Sequence, residues 1–306
     1  MTEETLRARI FRYDPSADKE PRYEIYDVPK KERMLVGDLL EYIHENLDGN
    51  LAYRWECRIR QCGSCTILIN GKPGLICRES AKDGMVLEPL PFLPIVRDLV
   101  VDRNPLLEKI YSVRGFNRSS PSKEHPEPIE PSKVDELRAY RQCVQCLACV
   151  AVCPDAEELT ADLFPGPTKL IQIARFAFDE RDKADRAEES EKARVYCSNC
   201  HACEEVCPHE IDIFDKVITA LRNRCYQQGI GVGTKYLKAF KDLILEKGKV
   251  NAAALLVKTH GYSGAALKIL KGARLASKGK LVSPFEKPIP KVEEVRTIMR
   301  VEKEGK

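Results

Sequence analysis

Apolar and polar positions alternate with a period of two over residues 5–11 and again over 22–28. This pattern predicts two half-buried strands joined by a polar, proline-containing loop. The period then changes. Val36, Leu39, Leu40, Ile43 and Leu47 recur at helical spacing, and the Asp48-Gly49 pair that follows predicts a stop. Residues 66–69 and the Leu75-Ile76 pair flank Asn70-Gly71, a tight-hairpin signal. A further short strand is expected over 84–90. From 104 to 133 Pro105, Pro121, Pro126, Pro128 and Pro131 sit among serines and charges, so an extended, poorly packed connector is expected there. The pattern beyond is helical, most clearly over 132–142, 168–181 and 211–228, with Pro167 and Thr168 opening the second helix. In the tail from Gly229, Tyr236, Leu237, Phe240, Leu243 and Ile244 are expected to share one apolar face of a helix.

Composition narrows the function. The chain has 306 residues, enough for two domains. Charged residues make up 32%, but the signs nearly cancel to a net +3, which disfavours a nucleic-acid binder that works by neutralising phosphates. No apolar run is long enough to span a bilayer. The opening MTEETLRARIFRYD lacks the apolar core of a secretory signal, and a cytoplasmic location is expected. In that compartment thirteen cysteines read as metal ligands or redox groups rather than disulfides.

Their spacing decides between those. Residues 143–154 read CVQCLACVAVCP and residues 197–208 read CSNCHACEEVCP, an internal repeat of C-x2-C-x2-C-x3-C-P. In this bacterial-ferredoxin pattern three thiolates wrap one cluster, and the fourth, turned away by the proline, reaches the other. Cys143, Cys146, Cys149 and Cys207 are therefore the expected ligands of one [4Fe–4S] cluster, and Cys197, Cys200, Cys203 and Cys153 those of a second. Earlier in the chain CRIRQCGSC and the later Cys77 give the plant-type [2Fe–2S] spacing, with Cys57, Cys62, Cys65 and Cys77 as ligands and Gly63 leaving room for the loop to close over the cluster. Zinc also accepts four thiolates, but usually as two separated pairs. The thirteenth, Cys225, has no partner spacing and reads as a packed thiol. His201 reads as a donor to sulfide or solvent before a ligand, His209 as electrostatic tuning or simple exposure, and Trp55 as packing beside the [2Fe–2S] loop. No nucleotide-binding glycine loop and no Ser/His/Asp pattern accompanies them, so bond-making chemistry is expected on another polypeptide.

The expected fold class is α+β. An N-terminal β-grasp, plant-type [2Fe–2S] ferredoxin domain over 1–103 is followed by the Pro-rich connector over 104–133. An all-α, bacterial-type two-cluster domain over 134–228 and a basic helical tail over 229–306, expected to dock another subunit, complete the chain.

This motif order resembles the iron–sulfur subunit of the succinate dehydrogenase/fumarate reductase family. The resemblance covers roughly residues 5–228 and is carried by CRIRQCGSCTILINGKPGLIC, PIVRDLVVD, CVQCLACVAVCP and GPTKLIQIARFAFDERD. It implies a relay from the FAD of a partner flavoprotein through one [2Fe–2S] and two [4Fe–4S] clusters to quinone at a membrane anchor, with the chain peripheral to the cytoplasmic face and touching the membrane only through its partners. Two features depart from quinone-linked members. Cys200 is present where those members lose a ligand, which implies a full distal [4Fe–4S] cluster. Asp155 to Thr160 and Ser198 stand where they carry a tryptophan and a histidine, which alters the usual quinone pocket. The tail segments KYLKAFKDLILEKGKVN and KPIPKVEEVRTIM look similar to heterodisulfide-reductase C-like proteins. They imply the alternative of an archaeal-type or thiol-linked member wired to a Cys-rich, heterodisulfide-reductase B-like partner. A free-standing ferredoxin-like carrier is a third reading, which a stable flavoprotein partner would exclude.

Overall fold

The computed structural model describes residues 4–113, 115–116, 129–155, 166–186, 189–190, 197–266 and 285–304. They form two compact units, one ending at Leu221 and the other running from Arg222.

The first unit opens with a mixed five-stranded sheet. Strands β1 (Thr5–Arg12) and β2 (Arg22–Pro29) form an antiparallel pair whose register runs from Thr5 opposite Pro29 to Arg12 opposite Arg22. After helix α1 (Val36–Asn46), the hairpin β3 (Thr66–Ile69) and β4 (Lys72–Leu75) turns at Asn70 and Gly71. Both turn residues have positive φ, 52° and 76°, which an Asn-Gly pair tolerates. Strand β5 (Met85–Glu88) lies parallel to β1 and antiparallel to β3, giving the order β2-β1-β5-β3-β4. Alternation places Leu6, Ala8 and Ile10 of β1 on the inner face, where they meet Val36, Leu39, Leu40 and Ile43 of α1. Burying such a side chain contributes roughly 1.5–3 kcal/mol. Leu47 lies just past the helix and is exposed, so it does not extend the buried stripe as its spacing suggested.

A buried charge cluster lies at the end of β1, on the same face of the sheet as α1. Asp98 accepts hydrogen bonds from Arg12 Nε (3.0 Å) and from the amides of Tyr13 (3.0 Å) and Ala52 (2.9 Å). Arg12 also meets Asp48, Glu24 and Tyr26. The short pair β6 (Ile95–Arg97) and β7 (Val100–Val101) carries Asp98 at its turn.

The expected connector departs from the sequence reading at its start. Residues 104–111 form helix α2 (Asn104–Tyr111), with Pro105 in the first turn, where its missing N–H removes no helical bond, and Ile110 buried. Pro121, Pro126 and Pro128 lie outside the described residues. Helix α3 (Pro131–Arg141), the short α4 (Ala148–Ala151) and α5 (Pro167–Ala177) follow. Helix α5 ends four residues earlier than its spacing suggested, capped by Phe178, whose ring stacks on Tyr140 at 5.7 Å. Next comes the short α6 (Ala202–Glu205). The expected helix over 211–228 instead begins as a π-helical segment, Ile213–Thr219, which winds into α7 (Ala220–Gln228). Tyr140, Leu170, Ile171, Ile173, Ala174, Ile213 and Val217 belong to the core of this helical part.

The second unit contains α8 (Val232–Lys247), α9 (Ala252–Ala266) and α10 (Val292–Glu304). Its small core joins Ala239 and Leu243 to Ala254 and Leu255. The expected apolar face of α8 is therefore rotated: Leu243 is buried, whereas Tyr236, Leu237 and Phe240 are exposed. Cys225 is fully buried, as expected of a packed thiol. Among the described residues, no helix is long and apolar enough to cross a membrane.

Candidate iron–sulfur cluster sites

Cys57, Cys62 and Cys65 sit on a loop whose backbone alternates into the left-handed region at Arg58 (φ 59°), Arg60 (65°) and Gly63 (63°). For arginine this conformation is unfavourable, so the loop holds strain next to its thiols. The winding turns amides inward. Gln61 and Cys62 both direct N–H groups at Cys57 Sγ, each at 3.3 Å. Burial opposes ionisation, but the amides of Ile59, Cys62 and Gln61 outweigh it and bring the Cys57 thiol down to about 7. Cys65 is buried with its Sγ 3.5 Å from that of Cys77. Burial, then the neighbouring thiols of Cys77 and Cys62, push it up to about 12. Cys77 is fixed from outside: the segment around it accepts the first amides of α1, Val36 N–H on Glu79 O and Gly37 N–H on Ile76 O, both 2.9 Å. Trp55 packs against Gly37, as the loop-packing reading expected, and the Arg58 guanidinium lies 4.2 Å from its ring centre.

Cys143, Cys146, Cys149 and Cys207 line one small space together with Leu147, Thr168, Ile171, Ile211 and Ile213. Here too the loop alternates, with Gln145 at φ 53° and Leu147 at 67°. Amides of Gln145 and Ala148 face Cys143 and Cys146, and Ile211 N–H points at Cys207 Sγ at 3.4 Å. Thr168 Oγ1, fully buried, lies 3.1 Å from Cys149 Sγ. Burial raises the thiols of Cys143, to about 11, of Cys146, and of Cys149 further still. Four thiols facing one space, those of Cys146 and Cys149 buried, fit a group whose positive irons offset their ionisation, and the inward amides fit its sulfides.

The second copy repeats the winding, with Asn199 at φ 63° and His201 at 61°. Cys153, from the first copy, stands among Cys197, Cys200 and Cys203 as a charge neighbour of Cys203. Burial, then Glu204, then these thiols push Cys203 up to about 12. Cys200 is exposed. Asp155 accepts from both the amide (2.7 Å) and the hydroxyl (2.9 Å) of Ser198. The tryptophan-equivalent stretch beyond it, 156–160, lies outside the described residues. His201 turns Nδ1 towards Glu204 (3.0 Å) and its ring onto Phe214 (4.1 Å between centres). His209 Nε2 meets Arg60 O at 3.2 Å.

The sets are adjacent. A Cβ on Gly63 would meet the Val144 carbonyl oxygen and lie 3.1 Å from both Cα and Cβ of Cys146, so the glycine admits the second cysteine loop rather than only closing its own. Cys149 in turn has Cys203 among its charge neighbours. Spacing indicates the thiols but not the groups around them: Thr168, Asp155, Glu204 and Arg103, whose guanidinium donates to Gly63 O (3.1 Å) and to Gln145 O.

Residues 7–108 match the family described as a 2Fe-2S iron-sulfur cluster binding domain, and residues 138–211 match the 4Fe-4S dicluster domain. The chain is 35% identical over 253 residues to a subunit of the fumarate reductase (CoM/CoB) of Methanothermobacter marburgensis, covering 80% of this chain and 49% of that one. An uncharacterised iron–sulfur protein of Methanocaldococcus jannaschii is 41% identical over 210 residues, covering 67% of this chain and 41% of its own. The chain thus spans about half or less of these archaeal relatives. The fumarate reductase iron-sulfur subunit of Haemophilus influenzae is 32% identical over 227 residues, covering 68% of this chain and 88% of that one. Among solved structures, a chain of the Mycobacterium smegmatis Sdh1 complex in the apo form superposes with a TM-score of 0.68 at 27% identity, over 74% of this chain and 98% of that one. With its two cluster-binding domains in this order, the chain belongs to the succinate dehydrogenase/fumarate reductase family of iron–sulfur subunits.

Proposed function

We propose that this chain is the electron-transfer subunit of a succinate dehydrogenase or fumarate reductase complex. In this reading Cys57, Cys62, Cys65 and Cys77 hold the [2Fe–2S] cluster. Cys143, Cys146, Cys149 and Cys207 hold the middle [4Fe–4S] cluster, and Cys197, Cys200, Cys203 and Cys153 the distal one. When bound, each cluster takes up and gives back one electron at a time. The observation that carries the reading is the continuity of the three thiol sets: Gly63 meets Cys146, and Cys149 neighbours Cys203. The chain's own part is to hold the groups in line and donate amides to their sulfurs. Two electrons released with two protons by succinate on a flavoprotein, or consumed there by fumarate, would pass singly along this line, and no proton need travel with them. The sheet order β2-β1-β5-β3-β4 supports a β-grasp first domain. The division at 103, 133 and 228 remains our reading of the parts.

The partners we infer are an FAD-containing flavoprotein and either a quinone-reactive membrane anchor or a Cys-rich, heterodisulfide-reductase B-like protein. Bond making would rest with the partners, and the chain would lie at the cytoplasmic face of the membrane through them. A thiol/disulfide acceptor is favoured by one observation, the likeness over 80% of this chain to a subunit of an enzyme named for CoM and CoB. Anaerobic isolation of the native assembly tests both readings. A flavoprotein with a multi-helix anchor supports the quinone branch, and a flavoprotein with a Cys-rich subunit supports the thiol branch. A chain isolated without any flavoprotein overturns both and leaves the free-standing carrier.

A further inference from the structure

Arg103 occupies the seam between the first two thiol sets. One residue separates it from β7, it caps α2, and it reaches across to both cysteine loops at once. One terminal nitrogen donates to Gly63 O at 3.1 Å, between Cys62 and Cys65, and the other to Gln145 O, between Cys143 and Cys146. Its third donor, Nε, is shut off from solvent and has no hydrogen-bond acceptor among the described residues. No carboxylate among the described residues pairs with it. The adjacent Asp102 turns its side chain to the Asn104 amide at 3.0 Å. From the other packed elements it faces Cys62, Cys146, the phenol of Tyr111 and a second cation, Arg54, which itself donates to Val101 O at 3.4 Å. Tyr111 anchors the same corner by donating to Gln145 Oε1 at 2.8 Å.

A desolvated cation is costly unless an anion offsets it. Here the surrounding side chains supply no carboxylate, and the acceptors in reach are two carbonyls. The missing negative charge lies where the thiol sets meet: thiolate-ligated iron–sulfur groups are anionic and become more so on reduction. A cation fixed beside them stabilises the reduced form more than the oxidised one, which raises a midpoint potential.

We infer that Arg103 is a positioning residue which ties the [2Fe–2S] loop to the neighbouring [4Fe–4S] loop and holds one shared positive charge between them, so that it raises both midpoint potentials together. The inference rests on the ligand assignment proposed above. It adds that the first transfer step is tuned by a side chain belonging to neither cysteine motif.

The test uses the full chain, purified anaerobically, with Arg103→Met, Arg103→Gln and Arg103→Lys compared with the parent. Iron and sulfide content and the electron paramagnetic resonance signals report which clusters are present, and redox titration followed by those signals reports each midpoint. We expect Met and Gln to shift the one-electron equilibrium of the [2Fe–2S] group at least tenfold towards the oxidised form, equal to about 59 mV downward. The neighbouring [4Fe–4S] midpoint should move the same way, and Lys should restore most of both shifts. Loss of clusters from Met and Gln but not from Lys would equally support a required charge. Unchanged midpoints with clusters intact would overturn the inference, as would equal shifts in all three variants or loss of clusters from all three, since each assigns the side chain to packing alone. If the parent chain itself shows no [2Fe–2S] signal, the ligand assignment fails rather than the role of Arg103.

Discussion

Gly63 and Gly71 both have positive φ, 63° and 76°, but only one has neighbours. A Cβ at Gly71 would meet nothing within 4 Å, whereas at Gly63 it would run into the Val144 carbonyl and press on Cys146 at 3.1 Å. The two Gly→Ala changes therefore separate backbone strain from crowding. At Gly71 only the left-handed conformation is penalised, about 1 kcal/mol. At Gly63 the same cost is joined by overpacking against rigid backbone, about 1–3 kcal/mol more, for a total of roughly 2–4 kcal/mol. Against a whole-domain stability of about 5–15 kcal/mol this is a large share. Anaerobic urea titration of the full chain reads it, followed by visible circular dichroism of the clusters and by fluorescence of Trp55, the only tryptophan. Gly63→Ala should lower the midpoint well beyond Gly71→Ala and weaken the [2Fe–2S] signal first. Equal midpoints for the two variants, within about 0.5 kcal/mol, would refute the close packing of the two loops.

Asp98→Ala strips an acceptor from Arg12 Nε and from the amides of Tyr13 and Ala52. A loss of about 3–5 kcal/mol is expected in the same titration, and a loss below about 1 kcal/mol would show that the cluster does not hold the sheet to the loop. The Arg12 guanidinium, against some opposing burial, holds the Asp48 carboxyl down at about 2, below its ordinary 3.8. A depressed carboxylate stabilises the fold above its unfolded pKa, and that stability is lost as pH falls from about 4 towards 2. Allowing for solvent screening the contribution is about 1 kcal/mol, so Asp48→Asn should be less stable than the parent at pH 7, and the gap should close only as pH falls to about 2. A gap that does not change with pH argues against the assignment. Cys200→Ser should leave a three-iron distal cluster, visible as a new paramagnetic signal in the oxidised chain with one iron fewer; an unaltered spectrum would remove Cys200 from the ligand set.

The cysteine loops were legible as repeated short spacings, whose ligand roles remain the proposal above, and the strand pairs were legible because one face of each is buried. Long-range geometry left no such trace. Gly63 could be seen to spare room, but not that the room admits Val144, some eighty residues on. Helix α2 escaped because Pro105 reads as a breaker in a sequence window yet fits a first helical turn, where Ile110 then finds a core. On α8 the apolar stripe was visible, but burial follows Ala239 and Leu243 because small side chains let the neighbouring helix approach. Arg103 had no motif at all; its significance lies in two carbonyls contributed by separate loops.

Cys207 stands with the thiols of the first copy and Cys153 with those of the second, which has a consequence for biosynthesis. When the first run leaves the ribosome, its own loop offers three of the four thiols facing its space, and the fourth has not yet been made. The later loop likewise depends on a cysteine synthesised long before it. The second site is complete once Cys203 has been made and the first only four residues later, at Cys207, so the two become complete almost together. A scaffold protein delivering preformed clusters would meet two empty sites at one moment rather than in sequence, and a ribosome stalled anywhere between the two runs would expose bare thiols that only a chaperone or a reducing environment could protect.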